Sequence, residues 1–221
     1  RILSGDDVWC QGYSEPNAGS YLSNLGLKAT LDGDQWVLNG QKIWTSAGHL
    51  ADHIFTLART DPDAPRHKGI SFLLPDMRQP RIEVRPIKMI SGESEFNEVF
   101  YTDATTPKDE VVGGVNNGWA VAMTLLGYER GEAAATGPIR YQAEIDRLLL
   151  LAKECGVADQ PVIRQRLAQC YAMVQIMRWS GMRVLTQFLH GHHPGPDGAI
   201  SKLYWSEYHK VSTELALDIL G

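Results

Sequence analysis

The sequence predicts an α+β protein, with an antiparallel β-barrel or sandwich over residues 1–114 followed by an α-helical bundle over residues 115–221. Three observations predict it. Before Gly113-Gly114, short apolar runs are separated by links rich in Gly, Asn, Asp and Pro. After Asn117 the apolar residues take up a helical period, and long stretches contain no Pro. Between the two patterns, Gly113 to Asn116 has the composition of a domain boundary.

Taken in order, Leu27 to Leu31 and Gln35 to Leu38 flank Asp32-Gly33-Asp34, a link of hairpin length. A second turn is expected at Asn39-Gly40, ahead of a strand from Gln41 to Ser46. His53 to Ala58 and Gly69 to Leu74 are further apolar runs, divided by a polar loop from Thr60 to Lys68 that holds two prolines. Arg81 to Arg85 alternates charges with Ile82 and Val84, as a strand with one wet face does, and Glu98 to Thr102 supplies another strand. In the second half Asn117 is placed to cap a helix from Trp119 to Ala135, which Gly137-Pro138 interrupts or kinks before it resumes from Ile139 to Glu154. Further helices are expected over Val162 to Leu189, with Pro161 just inside the start, and over Ile200 to Leu220, beyond a loop from His190 to Gly198.

Composition narrows the function classes. The 221 residues are 43% hydrophobic, enough for one large domain or two modest ones, and contain no internal repeat. A formal net charge of −5 lacks the basic footprint that nucleic-acid binding requires. Cys10, Cys155 and Cys170 are odd in number and far apart, which points away from a disulfide framework or zinc site and toward a reducing, cytoplasmic setting. No apolar run is long enough to span a membrane. The start at Arg1 rather than Met leads us to expect a piece of a longer chain.

Gln11-Gly12-Tyr13-Ser14-Glu15-Pro16-Asn17-Ala18-Gly19-Ser20 has the makings of a ligand loop. Ser14 and Ser20 bracket a Glu-Pro step, and Gly19 allows a close backbone approach to a phosphate or a heterocycle edge. A plain surface turn has the same composition. Trp44 with Thr45 and Ser46 offers an indole plane beside two hydroxyls, suited to a flat ligand, although packing in a core is the usual fate of a strand Trp. On the helix after Asn117, Ala122, Leu125, Leu126, Glu129, Ala133 and Thr136 share a face. Burial of Glu129 there would raise its pKa and suit it to accept a proton, with Arg130 at hand as a cation. Either Glu129 or Glu132 equally fits a solvated carboxylate at the edge of the stripe. His190, His192 and His193 lie in a Gly/Pro-rich connector without spaced ligand partners, and are read as loop rather than metal site.

In combination these segments resemble the acyl-CoA dehydrogenase family of flavoproteins. The resemblance runs through Trp9-Cys10-Gln11, Ser14-Glu15-Pro16, Ala18-Gly19-Ser20, Asn39-Gly40-Gln41-Lys42-Ile43-Trp44-Thr45-Ser46, the Gly114 to Trp119 entry, and Glu129-Arg130. It implies the family's middle β domain with most of its C-terminal helical domain, and a chain lacking the N-terminal helical domain and the last helices. It implies FAD as cofactor, an acyl-CoA substrate converted to a trans-2-enoyl-CoA, and hydride transfer to the flavin N5. Gln11, Tyr13, Ser14, Gly19, Ser20, Trp44, Thr45 and Ser46 would line the FAD, and Ser20 and Arg130 would face the thioester. The base would be Glu129, as in isovaleryl-CoA and long-chain dehydrogenases, or a residue in a Tyr-Glu-Gly-like segment beyond Gly221.

The resemblance also implies an electron-transfer flavoprotein as acceptor and a homo- or hetero-oligomer, dimer or tetramer, serving fatty acid or lipid metabolism. Two departures bear on it. Tyr21 stands where the family often has Asp, which reshapes the pocket edge, and Lys153-Glu154-Cys155-Gly156 stands in place of an Arg-x-x-Phe-Gly motif that contacts a neighbouring subunit's FAD. The second implies either that another residue makes that contact or that the cofactor is held differently, as in a heteromer with a partner subunit. An acyl-CoA oxidase or flavin monooxygenase of the same fold, or a non-catalytic subunit of a heteromer, are the rival expectations.

Overall fold

The computed structural model describes residues 1–192 and 197–221, with side chains for all of these except 130–133 and 197–198. The chain divides into two compact units, Arg1–Met123 and Thr124–Gly221.

The first unit is built on one eight-stranded sheet: β1 (Trp9–Gly12), β2 (Lys28–Asp32), β3 (Gln35–Ser46), β4 (His53–Arg59), β5 (Ile70–Leu73), β6 (Ile82–Pro86), β7 (Phe96–Pro107) and β8 (Val111–Val112). The strand order is β6-β7-β3-β2-β4-β5-β8, with β1 paired to β4. Most neighbours are antiparallel, but β1 and β2 both run parallel to β4, β1 along His53–Thr56 and β2 at Arg59. A wholly antiparallel sheet is therefore not what forms. Parallel neighbours need a long crossover, and the residues between β1 and β4 supply one. Cys10, Leu27, Leu38, Ile54, Ala58, Leu73 and Val99 meet in the core.

The hairpin at Gly33-Asp34 forms as expected, with Asp32 opposite Gln35 and Gly33 at φ +58°. Asn39-Gly40 does not turn. The chain runs straight through as β3, because the irregularity falls on the opposite strand. Leu38 faces Ala104 but Gly40 faces Tyr101, so β7 carries one extra residue there, with Asp103 left-handed at φ +52°. Asn39 Nδ2 donates to Asp103 Oδ1 at 2.9 Å, and Asp103 N–H donates back to Asn39 Oδ1 at 2.9 Å. Further along, Lys42 faces Val99 but Thr45 faces Asn97, so here β3 carries the extra residue.

The second unit is a bundle of three helices: α1 (Gly118–Glu154), whose first turns belong to the sheet unit, α2 (Pro161–Leu189) and α3 (Asp197–Leu220). Buried residues recur at three- and four-residue intervals: Tyr141, Ile145, Leu148 and Ala152 on α1; Ile163, Leu167, Cys170, Val174 and Met177 on α2; Tyr208, Leu215 and Ile219 on α3. α1 is one continuous helix of 37 residues with Pro138 inside it, so of the two expected effects of Gly137-Pro138, interruption or kink, the interruption does not occur. Ala134 and Tyr141, buried on either side of it, anchor the helix across the lost hydrogen bond. At the close contact with α2, a Cβ on Gly181 would lie 2.3 Å from the Ala134 carbonyl oxygen. Lys153-Glu154-Cys155-Gly156 ends α1: Gly156 has φ +69°, and Val157 N–H donates back to Ala152 O at 3.0 Å. Among the described helices none is long and apolar enough to cross a membrane.

Candidate flavin site

β1 is a short strand whose sequence shows little of its nature. Cys10 and Gly12 point into the core while Trp9 and Gln11 are half-buried. Its seat on β4 is tight at Gly12, where a Cβ would fall 2.8 Å from both Ile54 Cδ1 and Thr56 Oγ1. Thr56 Oγ1 donates to the Gly12 carbonyl at 2.9 Å. Trp9 stacks on His53 with ring centroids 4.7 Å apart, and the buried Tyr13 ring meets Phe55 and Phe72 edge-on at 6.2 and 6.3 Å.

The second wall comes from the bulge in β3. Trp44 adopts φ +63°, a left-handed conformation that a bulky residue adopts only at a cost of about 1–3 kcal/mol. The side chain is thereby turned out of the sheet and left 56% exposed, resting edge-on against Phe96. Ala47, three residues on, is left-handed as well, at φ +54°. Strain and aromatic exposure at one point of an otherwise regular strand mark a place selected for something other than stability.

These walls line an open cavity of about 420 Å³, bounded by Trp9, Cys10, Gln11, Tyr13, Ser14, Ile43, Trp44, Ser46, Ala47 and Phe55. That volume lies within the span of small-molecule clefts, ~300–1,000 Å³. The ring planes of Trp44, Trp9 and Phe55 suit a flat aromatic ligand. Gln11, Ser14 and Ser46 make no side-chain hydrogen bond among the described residues, leaving an amide and two hydroxyls for a ligand's edge. The residues present therefore fit the isoalloxazine portion of a flavin. Two other hollows, of about 220 and 430 Å³, lie among the helices and are lined mainly by apolar side chains.

The cavity brings together five of the eight expected cofactor residues: Gln11, Tyr13, Ser14, Trp44 and Ser46. Thr45 is buried instead, since neighbouring strand residues alternate faces, and its Oγ1 has no partner among the described residues. Gly19 and Ser20 are exposed and outside the cavity lining. A Cβ on Gly19 would meet nothing within 4 Å, and its φ is not positive, so the protein itself imposes no need for glycine there. Glu129 is exposed rather than buried on an apolar stripe. Ala122 is fully buried and Leu125 and Leu126 are half-buried, and among the described residues of the helical unit the first buried ones on α1 are Ala134, Pro138 and Tyr141. The side chains of Arg130 and Glu132, and all of His193, lie outside the described residues. Tyr21 carries Arg66 over its ring at 4.8 Å.

Lys42 was missed as a site residue. It is completely buried, and its Nζ donates to the Tyr13 carbonyl at 3.0 Å and to Glu15 Oε1 at 2.8 Å. Burial pushes its pKa down to about 8 against the opposing pull of the Glu15 carboxylate. The signal was present: Trp36, Leu38 and Lys42 keep the inward phase of β3.

The chain matches two family models: "Acyl-CoA dehydrogenase, middle domain" over residues 10–104 and "Acyl-CoA dehydrogenase, C-terminal domain" over residues 116–221. Acyl-CoA dehydrogenase IpdE1 of Mycobacterium tuberculosis is 44% identical, with 100% of this chain and 57% of that protein covered. IpdE1 of Mycolicibacterium smegmatis is likewise 44% identical, covering 100% of this chain and 58% of the relative. The solved steroid ACAD Tcur3481-Tcur3483 superposes with a TM-score of 0.93 at 35% identity, covering 100% of this chain and 57% of that one. The ChsE4-ChsE5 complex from M. tuberculosis gives a TM-score of 0.86 at 29% identity, covering 100% and 58%. The chain thus spans less than two thirds of the length of these relatives.

Proposed function

This chain belongs to the acyl-CoA dehydrogenase family, and on that premise we propose that it is the flavin-binding part of an enzyme that forms a double bond α,β to an acyl-CoA thioester. The observation that carries the proposal is the cavity between β1 and the β3 bulge, where a strained, exposed Trp44 faces Gln11, Tyr13 and Ser14. FAD bound there supplies the acceptor for the hydride that leaves the substrate β-carbon. The chain's own residues bind, orient and deprotonate. Trp44 gives a flat apolar surface, and Gln11, Ser14 and Ser46 offer hydrogen bonds to a polar edge. Glu129 takes the α-proton on a carboxylate oxygen, and the electron pair of that C–H bond becomes the second bond between Cα and Cβ as the β-hydrogen departs with its pair. Ser20 and Arg130 are assigned to the thioester side from the family resemblance alone. The acceptor for the electrons that such a cofactor would carry is proposed to be an electron-transfer flavoprotein.

The substrate class we propose is a bulky, steroid-type acyl-CoA, and the working form a heteromer with a second subunit. The support is resemblance to a steroid ACAD and to the two-protein ChsE4-ChsE5 complex. The exposure of Glu129 accords with a base whose pocket another chain or another segment completes. The test is the absorption spectrum of the full-length protein, alone and with its partner subunit, before and after adding straight-chain, branched and steroid side-chain acyl-CoAs. Flavin absorbance that bleaches with the steroid thioesters is the expected result. A colourless protein in both states refutes the flavin assignment, and a yellow protein that no acyl-CoA bleaches refutes the dehydrogenase assignment.

A further inference from the structure

The cavity wall formed by Tyr13 and Ser14 is not self-supporting, since it lies beyond the last residue of β1, where strand pairing has ended. It is tied down from behind. Ile43 N–H donates to the Ser14 carbonyl at 2.9 Å, and Lys42 Nζ donates to the Tyr13 carbonyl at 3.0 Å. The same ammonium holds Glu15 Oε1 at 2.8 Å. Glu15 in turn receives the Gly26 N–H at 2.6 Å on Oε2 and the Leu27 N–H at 2.9 Å on Oε1, which fastens the segment to the start of β2. Glu15 and Ala18 close the loop with reciprocal backbone hydrogen bonds of 3.1 and 3.0 Å.

We propose that Lys42 and Glu15 are positioning residues for the cofactor: a buried ion pair behind the cavity that sets Tyr13 and Ser14 at the distance from Trp44 that a flavin requires. This rests on the flavin assignment above. Sequence position makes the coupling direct, for Lys42 lies two residues before Trp44 and its charge reaches across to the opposite wall. One side chain therefore links both walls. A buried ion pair contributes little net stability over an apolar pair of similar volume, so its presence here is better explained by the order it imposes than by the energy it adds.

The groups around the pair leave it to act alone near neutral pH. Arg59 is the other cation near Glu15, and its guanidinium is engaged by the Ser23 and Arg66 carbonyls. Burial pushes the Cys10 thiol up to about 12 and the Tyr101 phenol higher still. Lys42, lowered to about 8, is the member of this group that titrates just above neutrality. Losing its proton removes the one cation that touches the Glu15 carboxylate among the described residues and weakens the tie to Tyr13.

The test uses the full-length protein carrying Lys42→Met with Glu15→Gln, a pair that keeps the side-chain volumes and leaves the single Gln amide oxygen to accept from one of the two N–H groups, Gly26 or Leu27, that the carboxylate held. Lys42→Met alone is the second variant, with the uncompensated carboxylate expected to lower its Tm. Amide hydrogen exchange in the flavin-free protein is read first. Exchange at Glu15, Ala18 and Ile43 should accelerate by roughly ten- to hundredfold in the double variant, the range for losing a hydrogen bond to a charged group, while Leu57 and Leu73 keep their protection. FAD Kd should rise by a similar factor, and the parental rise in Kd as pH passes 8 should vanish. Unchanged exchange at those three amides overturns the proposal whether or not flavin binds. Faster exchange with parental FAD affinity overturns the link to the cofactor. A parental protein that binds no FAD overturns the flavin assignment and the cofactor link with it, leaving the exchange data to judge the loop tie.

Discussion

Gly12→Ala is the smallest change that should move the site, and its effect follows from two contacts. The new Cβ would fall 2.8 Å from Ile54 Cδ1 and 2.8 Å from Thr56 Oγ1, closer than real Cβ atoms approach anything. Ile54 and Thr56 are both fully buried, so neither moves freely. Giving up the Thr56 hydrogen bond to the Gly12 carbonyl costs about 0.5–1.5 kcal/mol. Accommodating one methyl in a packed core costs about 1–3 kcal/mol, for a total of roughly 2–4 kcal/mol. For a unit the size of Arg1–Met123 that corresponds to a Tm roughly 8–16 °C lower. Where β1 yields instead of β4, Gln11, Tyr13 and Ser14 shift with it, and flavin is lost. Thermal denaturation followed by circular dichroism, together with the flavin-to-protein absorbance ratio, reads both effects. Gly19→Ala is the control for Tm alone, having open space around its Cβ position. A Gly12→Ala protein that melts within about 2 °C of the parent and keeps its flavin would refute the reasoning.

Three further outcomes are expected. Trp44→Ala removes a ring that is 56% exposed, so Tm should move little while FAD Kd rises roughly three- to tenfold, the worth of one aromatic contact; titration of the apoprotein with FAD measures it. Glu129→Gln should slow flavin reduction by acyl-CoA roughly a hundredfold to ten-thousandfold in stopped-flow measurements, with Tm unchanged because the side chain is exposed. Glu132→Gln is its control, and a parental rate in Glu129→Gln would move the base elsewhere in the enzyme. Because the folded state lowers the Lys42 pKa from 10.5 to about 8, the unfolded chain binds more protons between those values. Unfolding free energy by urea titration should therefore rise from pH 8 toward 10.5 in the parent relative to the Lys42→Met/Glu15→Gln variant; a flat difference would count against a buried, charged Lys42.

The parts of the fold that were legible in the sequence were those where one local rule decides. Asp32-Gly33-Asp34 closes a hairpin because Gly33 takes a positive φ between two strands, and the helices of the second half follow their apolar spacing to within a few residues. Asn39-Gly40 misleads because its signal for positive φ serves a bulge as well as a turn. Gly40 does have φ +144°, and a Cβ there would sit 3.0 Å from Leu27 Cα, yet the strand continues. β1 was illegible because Trp9–Gly12 is short and its partner lies over forty residues away. The candidate site divides in the same way. Trp44 and Tyr13 stand out as types, whereas Lys42 and Glu15 have their roles through a contact across 27 positions that no local pattern contains. The inward position of Thr45 depends on one extra residue in β3, which shifts the alternation from Lys42 to Thr45.

That extra residue has a counterpart. On β3 the buried positions are Trp36, Leu38 and Lys42 and then Thr45; on β7 they are Asn97, Val99 and Tyr101 and then Ala104 and Thr106. Each strand slips phase once, and the two slips have opposite sense, so pairing sums are the same at Leu38–Ala104 as at Thr45–Asn97. The ribbon behaves like a vernier with two cancelling offsets. Deleting Trp44 alone, or Asp103 alone, would leave a one-residue error that carries to the strand end and turns buried side chains out to water. Deleting both would restore a regular ladder from Gln35 to Ser46. It would also erase the one place where this sheet holds an indole clear of its own surface, so indels in this ribbon are tolerable to the fold only in pairs and to the site not at all.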